Sequence, residues 1–222
     1  MAKWKEGMYI PGSYSRISDY DKCPRAFREK NLTKRAPFQT SAAMERGKLM
    51  HEILAAAVHD PTVNVPTEFD YANKALIEIQ EADDKRVEMD MAFNPEKKVV
   101  GWLAADVHFR SKLDVLIKKG THYKIIDWKS GKLRLDSQQL RFYGAAVFAM
   151  SPKAKTVDAE FVFVDARQEI SATFNREEHF DQLWAEIDGS LETINKDFTW
   201  IAKPSPLCRW CPVLPEHCEH RL

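Results

Sequence analysis

The feature that most constrains the fold is a β-hairpin predicted over residues 112–129. Two runs rich in β-branched and aromatic residues flank a turn at residues 119–121, which is typical of antiparallel strands. If the turn centres between Gly120 and Thr121, paired residues have numbers that sum to 241, and Asp114 lies opposite Asp127. Directly opposed side chains share a sheet face, with Cβ atoms about 4.5–5.5 Å apart. The hairpin therefore predicts a sheet with two carboxylates close together on one face.

The placement of these two carboxylates suggests a chemical role for them. Two such groups repel each other, and strand propensity does not favour aspartate, whereas a divalent cation between them removes the repulsion. Lys129 follows Asp127 by two residues and so projects from the same face, where an ammonium can hold water or neutralise a phosphorane-like transition state. Asp114, Asp127 and Lys129 are thus candidates for metal-dependent phosphodiester hydrolysis. The alternative is an exposed hairpin with a minor salt bridge.

A helix predicted over residues 136–150 follows the hairpin. It carries Gln139 and Tyr143, which lie on one helical face because they are four residues apart. Their polar tips could face the hairpin acids. The pattern fits equally a solvated glutamine and a partly buried tyrosine.

The remaining periodicity predicts further helices and strands. Helices are expected over residues 43–59 and 70–83 and after Asn175, and strands over 86–93, 101–109, 155–165 and 168–174. This order indicates an α/β or α+β protein with a mixed central sheet flanked by helices. No apolar run approaches the roughly 18 residues that span a bilayer, and the first residues lack a secretory signal, so we expect a cytoplasmic protein without a membrane segment.

The net charge is zero, but the charges are unevenly distributed. Residues 1–48 carry 11 basic and 5 acidic side chains, and residues 110–141 carry 9 and 3. Two basic stretches of this kind could form a positive groove for phosphates. Ordinary solvated faces explain the same distribution.

The cysteines suggest a second site. There are four, at Cys23, Cys208, Cys211 and Cys218. Without an export signal, disulfides are a poor explanation, and a metal or cluster site is a better one. Cys-x-x-Cys is also a zinc pattern, in which His217 or His220 could replace a distant thiolate and Cys23 would be an ordinary buried cysteine.

Taken together, the site residues resemble the RecB-type branch of the PD-(D/E)xK nucleases. The matching positions are Asp114, Asp127, Lys129, Gln139 and Tyr143. In that branch a helix before the sheet carries a Gly-x-x-x-His signature, and Gly47 and His51 fit it. The resemblance therefore implies that His51 is a third metal ligand beside Asp114 and Asp127, and that Gln139 and Tyr143 support Lys129 or the substrate.

Two details of the match are less regular. The family often has a further acid before the sheet; Glu88 is the nearest candidate, and Asp90 competes with it. The second acid of the motif is frequently glutamate, where this chain has Asp127.

One N-terminal and three C-terminal cysteines resemble the iron–sulfur nucleases, which include CRISPR-associated exonucleases and AddB nuclease domains. The resemblance implies that Cys23, Cys208, Cys211 and Cys218 hold a [4Fe–4S] cluster that fastens both ends of the chain. It also implies a restriction-endonuclease-like α/β fold in one nuclease domain over residues 1–222. Residues 1–40 and 200–222 would form the cluster lobe, and residues 41–199 the core.

The resemblance implies an exonuclease dependent on Mg²⁺ or Mn²⁺ that degrades DNA in recombination, repair or CRISPR-type processing. Single-stranded DNA or duplex ends would be the substrate, with bases stacked on aromatic residues such as Tyr14, Tyr20 or Trp102. No ATP-binding motif is present, so unwinding would require a helicase or a larger recombination or CRISPR complex as partner. The alternatives are a non-catalytic DNA-binding or assembly module and a structure-specific endonuclease.

Overall fold

A computed structural model describes residues 5–37, 40–134 and 136–221. The chain divides into two compact units. The smaller unit comprises the terminal segments, residues 1–40 and 186–222, and the larger unit comprises residues 41–185. No helix in these described ranges is both long and apolar enough to cross a membrane.

The smaller unit is built from short elements. They are strand β1 (Gly12–Ser13), helices α1 (Tyr14–Lys22) and α2 (Pro24–Phe27), a π-helical turn (Arg28–Leu32), and 3-10 turns at Pro206–Trp210 and Pro215–His217. The Ser13 side chain accepts a hydrogen bond from the Arg16 backbone N–H and caps α1. The helical segment is interrupted at Cys23, since the backbone there is extended and Pro24 begins the next helix.

The larger unit contains a sheet with helices before, within and after it. Helices α3 (Ala42–His59) and α4 (Asn73–Gln80) precede strands β2 (Asp84–Phe93), β3 (Val99–Val100), β4 (Phe109–Lys119) and β5 (His122–Lys129). Helix α5 (Gln138–Met150) leads to β6 (Thr156–Phe163) and β7 (Gln168–Asn175), and α6 (Arg176–Lys196) contributes residues to both units.

The strands of this unit are ordered β3-β2-β4-β5-β6-β7. All neighbours are antiparallel except β5 and β6, which are parallel. Parallel neighbours need a crossover connection, and α5 supplies it. The fold is therefore α/β with a mixed central sheet flanked by helices, as predicted for a restriction-endonuclease-like protein.

Strand alternation places helices against both faces of the sheet. Ile126 and Trp128 belong to a buried cluster with Met50 and Leu54 of α3. Asp127 points the other way, and its carboxylate accepts a hydrogen bond from Tyr143 of α5. The strand that carries the candidate acid is thus packed on both faces, which fixes its position.

Two sequence predictions are wrong in extent. Residues 101–109 do not form a strand: Ala104 N–H bonds back to Gly101 O in a turn, and β4 begins only at Phe109. Ala104, Ala105 and Asp106 are residue types depleted in strands. The helix predicted over 70–83 is α-helical only at Asn73–Gln80, after a 3-10 segment, Thr67–Ala72.

Candidate active site

The hairpin β4–β5 has the predicted register. Pairs run from Val115↔Ile126 to Lys119↔His122, so the prediction that pair numbers sum to 241 is confirmed. The ladder ends there, one pair short of Asp114 and Asp127. Instead, the Trp128 backbone N–H donates to Asp114 Oδ2 at 2.9 Å. The Asp114 side chain thus replaces a main-chain acceptor where the two strands stop pairing.

Asp114 also joins two other potential ligands. His51, Glu88 and Asp114 each offer an atom within 4.8 Å of the others, and His51 Nδ1 lies 3.2 Å from Asp114 Oδ2. Burial and the charge of Asp114 raise the pKa of Glu88. For His51, burial lowers the pKa, but the hydrogen bond and charge of Asp114 outweigh it, so the pKa is raised overall.

Of the two competing acids on β2, it is Glu88 that enters this group. Asp90 instead forms an ion pair with Lys112 at 2.8 Å. Glu88 has φ of +51°, a left-handed conformation that non-glycine residues rarely adopt in a strand. Glu88 and Asp114 are also skipped in the otherwise continuous β2–β4 register. Backbone strain of this kind clusters at functional sites.

Asp127 lies outside this group of three and is the most buried of the candidate acids, at 3% exposure. Its Oδ1 accepts from Tyr143 Oη. Its Oδ2 lies 2.6 Å from Lys129 Nζ but has no partner with hydrogen-bond geometry in the described structure. Burial and the charge of Asp114 raise the pKa of Asp127 to about 6, against the opposing effect of Lys129.

Gln139 and Tyr143 connect these groups from α5. Lys129 Nζ donates to Gln139 Oε1 at 2.9 Å, and Gln139 Nε2 donates to Tyr143 Oη at 2.6 Å. Burial, reinforced by Asp127, raises the pKa of Tyr143 well above its ordinary value, so the phenol remains a donor. The two side chains therefore face the hairpin acids and hold both Asp127 and Lys129.

The sequence analysis missed several groups around this site. The Phe161 ring lies under the Lys129 ammonium, 4.6 Å from its centroid. Arg46 of α3 makes a paired contact with Asp165 at 2.8 and 2.9 Å, and Asp165 accepts from the Gly131 backbone N–H. These contacts tie α3 to the loop after Lys129. The contact between Arg46 and Asp165 joins residues 119 positions apart, and no local sequence pattern predicts it.

The structure explains why the first residue of the Gly-x-x-x-His segment is a glycine. A Cβ added at Gly47 would lie 2.9 Å from Ser130 Oγ. The backbone of α3 therefore approaches the residue after Lys129 closely. One turn later, the same helix delivers His51 to Asp114.

Comparison with known families identifies this arrangement. The family model of the PD-(D/E)XK nuclease superfamily matches residues 11–216. The chain belongs to that superfamily. No curated protein matches it. Among the solved structures that match is the crystal structure of SSO0001, 13% identical, which aligns over 100% of this chain and 90% of the other with a TM-score of 0.43.

PD-(D/E)XK nucleases use divalent metal ions, and the residues present fit such an ion. The group of His51, Glu88 and Asp114 offers two carboxylates and an imidazole, a donor set suitable for Mg²⁺ or Mn²⁺. The neighbouring Asp127 is a buried carboxylate whose Oδ2 is paired with the Lys129 ammonium. A divalent ion beside Asp114 would further offset the repulsion between the two carboxylates, which adds to burial in raising the pKa of Asp127.

The four cysteines of this superfamily member lie in the smaller unit. All four line one cavity of about 440 Å³. Cys23 Sγ accepts from the backbone N–H groups of Ala26 and Lys203 at 3.5 and 3.4 Å, and Cys208 Sγ accepts from Ser205 at 3.3 Å. Among described residues, no three of the sulfur atoms lie within 4.8 Å of one another.

Proposed function

We propose that this nuclease is a deoxyribonuclease dependent on Mg²⁺ or Mn²⁺ that degrades DNA from single-stranded or duplex ends, as in the RecB-like branch of the superfamily. The observation that carries the proposal is the connected network of Asp127, Lys129, Gln139 and Tyr143 beside the His51, Glu88 and Asp114 group. A purely structural ion pair does not require a strained glutamate, a buried carboxylate and a half-buried ammonium at one place.

His51, Asp114 and Asp127 would hold the ion, with Glu88 as a further ligand and the Trp128 carbonyl as an additional donor. The chemistry that an ion supplies in such a site is charge stabilisation on the phosphodiester and a more acidic bound water. Tyr143 orients Asp127 by donating to Oδ1. Gln139 accepts from Lys129 and so directs the remaining ammonium protons toward water or the phosphate oxygens.

Lys129→Ala tests the catalytic assignment. We expect cleavage of DNA with Mn²⁺ to fall by orders of magnitude while metal and DNA binding are retained, because the ammonium acts mainly on the transition state. The control is Lys119→Ala, which removes an exposed lysine from the turn end of the same strand pair. If the two variants cleave equally fast, Lys129 has no catalytic role. If Lys129→Ala loses binding and rate in proportion, Lys129 is a phosphate anchor.

The choice of substrate separates an exonuclease from the alternatives. We expect linear single strands and linear duplexes to be shortened progressively, while covalently closed circles persist. Cleavage of closed circles would indicate an endonuclease on the same fold. Binding without any Mn²⁺-dependent cleavage would indicate a non-catalytic DNA-binding or assembly module.

We further propose that Cys23, Cys208, Cys211 and Cys218 bind a [4Fe–4S] cluster in a lobe made from residues 1–40 and 200–222, attached to a core of residues 41–199 within one nuclease domain. The shared cavity and the N–H donors to sulfur support this, because thiolates of such clusters commonly accept hydrogen bonds. Zinc bound by Cys208, Cys211 and nearby histidines is the competing possibility.

Iron and sulfide analysis of anaerobically purified protein distinguishes the two. We expect a brown protein whose colour is lost in both Cys23→Ser and Cys218→Ser, with a lower melting temperature in each. A colourless protein with one zinc and an unaffected Cys23→Ser variant would exclude the cluster.

We place the protein in the cytoplasm, where a helicase or a recombination or CRISPR complex would supply unwound DNA.

A further inference from the structure

Trp102 lies in the turn segment between β3 and β4, beside two cations. The Arg110 guanidinium carbon and Lys112 Nζ lie 5.4 and 5.1 Å from the centre of the indole ring. The Trp102 carbonyl accepts from Arg110 Nε at 3.0 Å. The ring is half-buried, so part of it remains open to solvent. These contacts hold the indole in one place without covering it.

The two cations differ in whether a carboxylate neutralises their charge. Lys112 is exposed and pairs with Asp90. Arg110 is half-buried, and burial lowers the pKa of its guanidinium with no carboxylate to oppose the effect among the described residues. Arg110 Nε is held by the Trp102 carbonyl, and its remaining guanidinium N–H groups can donate to a phosphate. Arg110 thus presents an anion-binding group next to an aromatic ring.

This pair of features is continuous with the metal-ligand group. Lys112 pairs in the sheet with Asp90 of β2, two residues from Glu88. Lys112 and Arg110 precede Asp114 by two and four residues on β4, which corresponds to about 7 and about 13 Å along a strand. A DNA strand whose phosphate reached Asp114 would therefore have its next nucleotides beside Arg110 and Trp102.

We propose that Trp102, Arg110 and Lys112 form a subsite for single-stranded DNA, in which one unpaired base stacks on the indole and adjoining phosphates contact the two cations. This inference rests on the proposed nuclease function. Base stacking on aromatics and cationic contacts to the backbone are the two parts of sequence-independent single-strand binding. A base within a duplex is already stacked, so the subsite selects unpaired ends.

Tyr20, one of the two other aromatic residues named above as possible stacking residues, can be compared with Trp102. Tyr20 is 8% exposed, and its hydroxyl donates to Asp197 at 2.9 Å. Its ring is also in edge contact with Phe27 and Trp200. Tyr20 is therefore a structural residue, whereas Trp102 is accessible and flanked by cations.

The test measures binding of a fluorescently labelled single-stranded oligonucleotide to the full chain in EDTA, where cleavage does not interfere. We expect Trp102→Ala to raise Kd by roughly 5- to 150-fold and Trp102→Phe to restore most of the affinity. Leu103→Ala is the matched control, because Leu103 is the neighbouring residue and is 83% exposed. Arg110→Ala should weaken binding and reduce the salt dependence by roughly one ion.

An abasic scan identifies stacking specifically. One abasic position should weaken binding to the wild-type protein, and the same position should have no effect on Trp102→Ala. Equal affinities of Trp102→Ala and wild type, or an abasic effect that persists in Trp102→Ala, would overturn the subsite. Because binding is measured without metal, this result is independent of whether the protein cleaves DNA, so failure of the subsite and failure of the nuclease proposal are distinguishable.

Discussion

Replacing Asp127 by asparagine perturbs the most buried acid of the site, and the structure gives the size of the effect in metal-free protein. Burial and the charge of Asp114 raise the pKa of Asp127 from 3.8 to about 6. A carboxyl whose pKa rises on folding contributes stability that is fully present below its unfolded pKa and is lost as pH rises through its folded pKa. At pH 8 this loss amounts to roughly 3 kcal/mol.

Asparagine has no charge to bury, and its carbonyl can still accept from Tyr143. We therefore expect Asp127→Asn to have the higher free energy of unfolding in EDTA at pH 8, by up to about 3 kcal/mol. At pH 5, where Asp127 is mostly protonated in the folded state, the difference should shrink to about half of that value.

Magnesium should largely cancel this difference in stability at pH 8. A ligand that binds only the folded state stabilises it by about 2.7 kcal/mol at 100 times its Kd. Wild-type protein should gain this stability, and Asp127→Asn should gain far less because one ligand has lost its charge. Cleavage should be abolished in the same variant.

The assay is urea unfolding followed by circular dichroism at pH 5 and pH 8, with EDTA or with magnesium. Asp84→Asn is the control, since Asp84 forms an exposed pair with Lys118 at 3.2 Å and such pairs contribute about 0–1 kcal/mol. The reasoning is refuted if Asp127→Asn is less stable than wild type in EDTA at pH 8, or if the difference between them does not depend on pH.

Two matched pairs test the packing of the fold by urea unfolding. A Cβ at Gly144 would lie 2.8 Å from the Phe174 ring, so Gly144→Ala should lower the free energy of unfolding by about 1–3 kcal/mol. Gly189 has open space around it, so Gly189→Ala should raise the free energy of unfolding by up to about 1 kcal/mol. Equal effects of the two substitutions would contradict the close contact at Gly144. Leu54 is fully buried on α3, so Leu54→Ala should lower the free energy of unfolding by about 2–5 kcal/mol. Leu49 is half exposed on the same helix, so Leu49→Ala should change the free energy of unfolding by about 0.5 kcal/mol or less. A large loss of stability in Leu49→Ala would show that the buried and exposed faces of α3 are misassigned.

Local sequence was sufficient to predict the hairpin and the register of its two strands. The glycine-containing turn sets the register of β4 and β5, because strand pairing alternates strictly from the turn outward. Gln139 and Tyr143 are four residues apart, and the period of an α-helix therefore places both on one face of α5. These are short-range geometric consequences, so they could be predicted without knowledge of the rest of the chain.

The choice between Glu88 and Asp90 could not be made in this way. Both lie on β2 and both are acidic, but only the tertiary structure shows Asp90 paired with Lys112 and Glu88 turned toward His51 and Asp114 by its left-handed backbone. The extent of the strand predicted at 101–109 was wrong for a related reason. Its apolar residues suited a strand, but the chain turns at Gly101 before β4 begins.

The groups that support the site were decided entirely by tertiary packing. The Phe161 ring reaches Lys129 because β5 and β6 pair in parallel with Asp127 beside Phe161. Arg46 reaches Asp165 because α3 packs near the end of β6. Sequence periodicity determines which face of an element is apolar or polar, whereas it carries no information on which distant element will cover that face. The sequence therefore determined the strand that carries the candidate acid and its facing helix, and the packing of the sheet decided which side chains surround them.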